Sequence, residues 1–186
     1  MSALGGSARK VIPEARSRSV ESPPQWSGDG DELAGVVVDS TGVSVEIVSM
    51  STRESRRLSL SGYRPARMDL SWSPDERFFA VVDVAYGLVS DVGQLWVLRL
   101  SDGEAFQVTD GLTKVWSPSW SSDGRSLYFV SNRGGGMDLW EQPLGPDGKP
   151  EGNPRAVTVG VGMRHAAFSP DGTQLAYSRG RVVANV

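Results

Sequence analysis

Four times along the chain an aromatic residue opens the same short turn: Trp26-Ser27-Gly28-Asp29-Gly30, Trp72-Ser73-Pro74-Asp75-Glu76, Trp120-Ser121-Ser122-Asp123-Gly124 and Phe168-Ser169-Pro170-Asp171-Gly172. The aromatic positions lie 46, 48 and 48 residues apart. A near-constant period of this size is the mark of a propeller or solenoid, in which one small unit is copied and stacked. A second marker keeps the same beat. Val11, Leu58, Val108 and Val157 fall 47, 50 and 49 residues apart, two of them after a basic pair, Arg9-Lys10 and Arg56-Arg57.

Within each unit the local signals are strands. In Ser-Pro-Asp-Gly, serine takes the first turn position and proline pre-sets φ at the second. Aspartate can then accept backbone hydrogen bonds, and glycine tolerates positive φ. The turn joins a strand ending at the aromatic residue to one such as Ser126–Ser131, whose Leu127-Tyr128-Phe129-Val130 is aromatic and β-branched. Third strands follow at Val43–Ile47, Gln94–Leu98 and Met137–Trp140, and fourth strands at Ala105–Thr109 and Arg155–Thr158. No stretch longer than ten residues carries a helical stripe. The reading is all-β, four short strands per repeat, which is a propeller blade. Phasing the repeats gives the end of a blade over 1–13, full blades over 24–60, 67–109 and 114–159, and an incomplete blade over 163–186. Closing a ring takes at least four blades, so either the two partial blades combine into a fourth or, the favoured expectation, this is a partial propeller that belongs to a larger protein.

These residues resemble the TolB-like, WD40-like β-propeller repeats of bacteria, whose blades carry a Pro-x-Trp-Ser-Pro-Asp-Gly turn and a later strand of the Leu-Trp type. Pro118–Gly124 followed by Leu139-Trp140 is close to that pattern, and Phe168–Gly172 is closer. Gly28 and Ser122 depart from it where proline is usual, and Glu76 where glycine is usual. Holding a non-glycine residue left-handed costs on the order of 1 kcal/mol or more, so the turn at Glu76 is expected to take a different geometry. The wording of the repeats is most similar to propellers fused to bacterial serine/threonine kinases. That resemblance implies a non-catalytic module that senses a protein or small ligand on its loops, outside the cytoplasmic membrane. The alternative is the substrate-gating propeller of a prolyl oligopeptidase-like serine hydrolase, with its catalytic domain elsewhere.

Composition limits the chemistry. There is no cysteine and one histidine, His165, so thiolate zinc sites, cysteine nucleophiles and two-histidine metal sites cannot be built. No Gly-x-Ser-x-Gly elbow occurs, and His165 reads as a polar residue on the strand before Phe168. No catalytic residue, cofactor site or metal site is expected. Asp29, Asp31 and Glu32 lack the spacing of a calcium loop, and turn capping is their simpler role. Asp75, Asp123 and Asp171 recur once per unit, as a fold-determining acceptor does and a catalytic residue need not. Gly134-Gly135-Gly136 lies between strands, the wrong context for a phosphate loop, and reads as an interstrand loop.

Arg53, Arg56, Arg57, Arg64 and Arg67, with Tyr63 among them, form the one basic run and could serve single-stranded nucleic acid. The formal net charge of -3, and the match of Arg56 and Arg57 to Arg9 and Lys10, favour a solvated outer strand, so no nucleic-acid partner is expected. No apolar run reaches the roughly 20 residues of a membrane span, and no membrane insertion by this chain is expected. Trp26, Trp72, Trp120 and Phe168 read as packing between blades. Trp116 stands outside that pattern, before Ser117-Pro118, and is the one candidate for a contact with a ligand or partner at the channel mouth.

Overall fold

The computed structural model describes residues 23–40, 42–60, 65–85, 92–169 and 171–180. The partial blade expected over 1–13 lies outside them. Three four-stranded sheets follow one another along the chain. Blade 1 comprises β1 (Gln25–Trp26), β2 (Glu32–Asp39), β3 (Gly42–Ser49) and β4 (Ser55–Ser59). Blade 2 comprises β5 (Pro65–Trp72), β6 (Phe78–Ala85), β7 (Gly93–Arg99) and β8 (Ala105–Gln107). Blade 3 comprises β9 (Val115–Trp120), β10 (Ser126–Ser131), β11 (Asp138–Pro143) and β12 (Arg155–Ala156). A two-stranded sheet, β13 (Met163–Phe168) with β14 (Leu175–Arg179), forms blade 4. Strand order within each sheet is sequence order, with antiparallel neighbours. This is an open, partial propeller.

The core lies between blades, and β6 shows why, being apolar on both faces. Along β6, Phe79 and Val81 pack with Ala34, Val45 and Ile47 of blade 1. The alternate residues Phe78, Ala80 and Val82 pack with Trp120, Leu127 and Phe129 of blade 3. Val130 and Leu139 meet Met163, Ala166, Phe168 and Leu175 of blade 4. A strand buried on both faces loses its alternation of polar and apolar residues, hence the near-continuous run Phe78–Val82.

The fourth strands are shorter than the sequence suggests, and the reason is a repeated threonine bulge. Val108 and Thr109 both donate their amides to the Leu95 carbonyl, at 2.8 and 3.3 Å. Val157 and Thr158 do the same to Leu139, at 2.8 and 3.3 Å. The threonine hydroxyl then replaces the next ladder partner, accepting from the Leu95 amide at 2.9 Å and from the Leu139 amide at 3.0 Å. The chain thereby leaves the outer edge and crosses toward the next inner strand.

Candidate functional site

The recurring turn is built identically four times. Ser27, Ser73 and Ser121 donate their hydroxyls to Asp29, Asp75 and Asp123 at 2.7, 2.6 and 2.6 Å, and Ser169 donates to Asp171. Each serine oxygen also accepts the amide five residues on, from Glu32, Phe78, Ser126 and Gln174, at 2.9 Å in every case. Each aspartate accepts the amide two residues on, from Asp31, Arg77, Arg125 and Thr173. At Asp29, Asp123 and Asp171 these donors favour the carboxylate form. The Asp31 amide and Ser27 hydroxyl lower the pKa of Asp29, and the Ser121 hydroxyl and Arg125 amide lower that of Asp123. The Ser169 hydroxyl and the Thr173 amide and hydroxyl lower that of Asp171.

The expectation that the second turn differs is wrong. Glu76 sits at φ 57°, beside 75° for Gly30, 69° for Gly124 and 70° for Gly172. Its amide closes the same bond, to the Ser73 carbonyl at 3.0 Å. The offset comes from the neighbouring blade, because Glu76 Oε1 accepts the Asp29 amide at 3.2 Å across the open space over Gly28. Elsewhere the fourth turn residue likewise faces the second residue of the preceding turn, Gly124 against Pro74 and Gly172 against Ser122. The two departures at Gly28 and Glu76 therefore fit one another.

The aromatic residues tie each blade to the one before. Trp72 Nε1 donates to the Gln25 carbonyl at 3.3 Å, and Trp120 Nε1 to the Ser71 carbonyl at 3.1 Å. Phe168, lacking a donor, instead packs against Tyr128 with the rings tilted by 40° and their centroids 4.7 Å apart. Trp26 is 54% exposed. Trp116 packs beside Val130, Leu139 and Met163, and its buried indole nitrogen has no hydrogen-bond partner.

Beside this scaffold the inner strands line a groove of about 840 Å³. Its polar lining comes from two positions per blade: three residues before each aromatic stand Asp69, Ser117 and His165, with Pro23 in blade 1, and one residue before it stand Gln25, Ser71 and Ser119, with Ala167 in blade 4. The Ser117 amide lies 3.5 Å from Asp69 Oδ2, and Ser117 Oγ lies 3.4 Å from His165 Nδ1. A bulge presents the serine, since Ser119 pairs with Tyr128 and Trp116 with Val130, leaving Ser117 and Pro118 opposite Phe129 alone. Ser117 is held at φ 51°, a strained conformation for a side chain of its type. Pro118 removes a backbone donor from β9, which blunts that inner edge against pairing with another strand.

Sequence reasoning assigned His165 no role beyond its strand and passed over Asp69 and Ser117. The signal was present as the fixed offset from each aromatic. The groove is bounded by the neighbours of Trp116, namely Ser117, Pro118 and Ser119, rather than by Trp116 itself.

The row does not have the order of a Ser-His-Asp hydrolytic triad. Serine stands between the other two, and the carboxylate meets the serine backbone rather than the imidazole it would have to orient. Among the described residues no three histidine, aspartate or glutamate side chains converge as metal ligands. The described residues contain no helix long and apolar enough to cross a membrane.

In the basic run, Arg56 makes a bidentate pair with Glu32 at 2.6 and 3.0 Å, and Arg57 bridges Asp39 and Glu46 at 2.9 and 3.1 Å. Tyr63 and Arg64, and the side chain of Arg67, lie outside the described residues. Gly134–Gly136 forms a turn closed by the Gly135 amide on Asn132 at 2.8 Å, with the Arg133 guanidinium 5.2 Å over Trp140.

The model for the TolB beta propeller domain, PD40, matches residues 3–185. The chain belongs to the TolB β-propeller family. TolB of Acinetobacter baumannii superposes with a TM-score of 0.64 at 19% identity, over 87% of this chain and 38% of that one. Two bacterial relatives are similar over shorter stretches. The uncharacterized peptidase YuxL of Bacillus subtilis is 37% identical over 71 residues, 38% of this chain and 10% of YuxL. The uncharacterized protein Atu1656 of Agrobacterium fabrum is 32% identical over 69 residues, 37% of this chain and 22% of that protein. This TolB-family chain thus spans a minor part of the length of the curated relatives it matches.

Proposed function

We propose that this TolB-type segment is a non-catalytic binding module of a larger bacterial protein, taking a protein segment or small ligand in the groove along β5, β9 and β13. The observation that carries the reading is the row Asp69, Ser117 and His165: polar side chains at one offset on three successive rigid strands, in an order that differs from that of a hydrolytic triad. Pro118 on the β9 edge favours recognition by side chains there over addition of a strand. The paired guanidiniums of Arg56 and Arg57 give no support to a nucleic-acid partner.

Titrating the isotope-labelled chain with a pool of unstructured hexapeptides tests it, because amide shifts report where contact occurs. Shifts clustered on Asp69, Ser117 and His165 support the reading, and a groove that no peptide perturbs overturns it. Hydrolysis of an activated ester that vanishes in Ser117→Ala would overturn the non-catalytic part.

A second reading, a propeller gating a prolyl oligopeptidase-like hydrolase domain, is favoured by the likeness to the peptidase YuxL. A Gly-x-Ser-x-Gly nucleophile elbow elsewhere in the same polypeptide would decide for it.

A further inference from the structure

The inner strands β5, β9 and β13 each carry one extra residue against their partner, at a different place in each. In β13 it is Arg164, between the pairs Met163–Arg179 and His165–Ser178. In β5 it is Ala66, between Pro65–Ala85 and Arg67–Val84. In β9 it falls at Ser117 and Pro118, between Trp116–Val130 and Ser119–Tyr128. Asp69 and His165 therefore stand in their ladders, opposite Val82 and Ser178, whereas Ser117 does not, because Trp116 has taken the place opposite Val130.

Three local preferences oppose the β9 bulge. Ser117 is left-handed at φ 51° although it precedes proline, which biases the residue before it to extended backbone. Its amide has only a 3.5 Å contact to Asp69 Oδ2. The Trp116 indole N–H is buried beside Val130, Leu139 and Met163 with no acceptor. Moving the bulge one residue, from Ser117 to Trp116, gives β9 the register of β13 and relieves all three. Val115 stays opposite Ser131 and Ser119 opposite Tyr128, so only the residues between two fixed pairs move. Pro118 permits the move. The Ser121 amide points into the sheet, to the Ser126 carbonyl at 2.9 Å, and so does every second residue before it, namely Ser119 and, in the ladder, Ser117. Pro118 falls between them, and its missing N–H costs the ladder nothing. Against the move stands the apolar burial of the Trp116 ring, lost when that residue becomes the unpaired one on the inner edge.

We infer that β9 exchanges between two registers: the present one, with Trp116 packed beside Val130, and a second with Ser117 in the ladder and Trp116 released at the channel edge, next to the groove that Ser117, Pro118 and Ser119 line. The exchange gates the groove. That gating rests on the binding reading proposed above, since a ligand held by Asp69, Ser117 and His165 selects the register in which Ser117 meets both of the others.

Fluorine NMR of the chain carrying fluorotryptophan tests it, with the Trp116 signal assigned by its loss in Trp116→Phe. In the unaltered chain that signal is expected to exchange between a buried and an exposed environment, read as two peaks or by relaxation dispersion. Ser117→Gly favours the left-handed backbone and should cut the second population roughly tenfold, and Ser117→Val, β-branched and averse to positive φ, should raise it by a similar factor. A Trp116 signal without exchange in all three chains overturns the two registers, as does exchange that glycine leaves unchanged. The unaltered and glycine chains decide this by themselves if the valine chain does not fold. Adding the hexapeptide pool should drain the second population. Peptides that shift the groove amides without changing the Trp116 populations overturn the gate and leave the binding reading standing. A groove that no peptide perturbs overturns that reading and the gate with it, while the registers stand or fall on the free chain.

Discussion

Trp120 reaches back 49 residues to place its indole N–H 3.1 Å from the Ser71 carbonyl, and Trp72 makes the same reach of 47 residues to Gln25. The ring also buries apolar surface, stacking near Phe78 with centroids 6.1 Å apart. Replacing Trp120 by phenylalanine keeps most of that burial and removes the hydrogen bond, so a loss of about 1 kcal/mol is expected in denaturant unfolding. Phe168→Trp, which offers Ser119 the same donor, should change stability in the opposite direction. Equal effects in both variants would show that the ring, and not its N–H, makes the joint.

Glu76 combines a left-handed backbone with a useful side chain. Glu76→Gly releases the strain and gives up only an exposed bond to the Asp29 amide, so it should stabilise by up to about 1 kcal/mol. Glu76→Ala keeps the strain and loses the bond, and should destabilise. The order glycine, glutamate, alanine in thermal melts is the check.

The turn aspartates set a pH dependence. Asp29, Asp123 and Asp171 have lowered pKa values, through serine hydroxyls and backbone amides. A carboxyl that holds its proton less tightly when folded contributes stability above its unfolded pKa, near 3.9, and loses it as pH falls through the folded value. Melting temperature should therefore drop in acid. Asp123→Asn should lower it at neutral pH and flatten the acid limb, and a parallel acid limb in this variant would refute the assignment.

Asp83 carries the reverse sign. Burial raises its pKa, and its Oδ1 is buried without a hydrogen-bond partner. Its charge opposes folding at pH values above its folded pKa, and the penalty is relieved as pH falls through that value toward the unfolded one. Asp83→Asn should raise the melting temperature at pH 7, with the gain fading in acid. A gain independent of pH would point to packing instead.

Ser117 separates stability from binding. At φ 51° glycine is the better residue, so Ser117→Gly should stabilise by about 1 kcal/mol while removing the hydroxyl that faces His165. If the groove binds through this row, the more stable variant is the weaker binder in the peptide titration. A variant unchanged in binding would remove Ser117 from the site.

The strands were legible because each carries its own signal and is copied at a fixed interval, as Leu127–Val130 and Leu175–Tyr177 show. Three features escaped for physical reasons. Glu76 looked incompatible with its turn because its compensation, the bare backbone at Gly28, lies in another blade. Asp69, Ser117 and His165 are ordinary polar residues one at a time, and only superposing the repeats puts them in one row. The shortened ends of β8 and β12 depend on threonine hydroxyls bonding to amides 14 and 19 residues away, which no local propensity encodes.

The reach of each tryptophan back to an earlier carbonyl gives the molecule a direction in time. Gln25 and Ser71 leave the ribosome before the indoles that bind them, so both of these joints close on a blade already made. Synthesis from the N-terminus can thus lock the blades in order, each new turn being fastened as it emerges, without waiting for residues still to be translated.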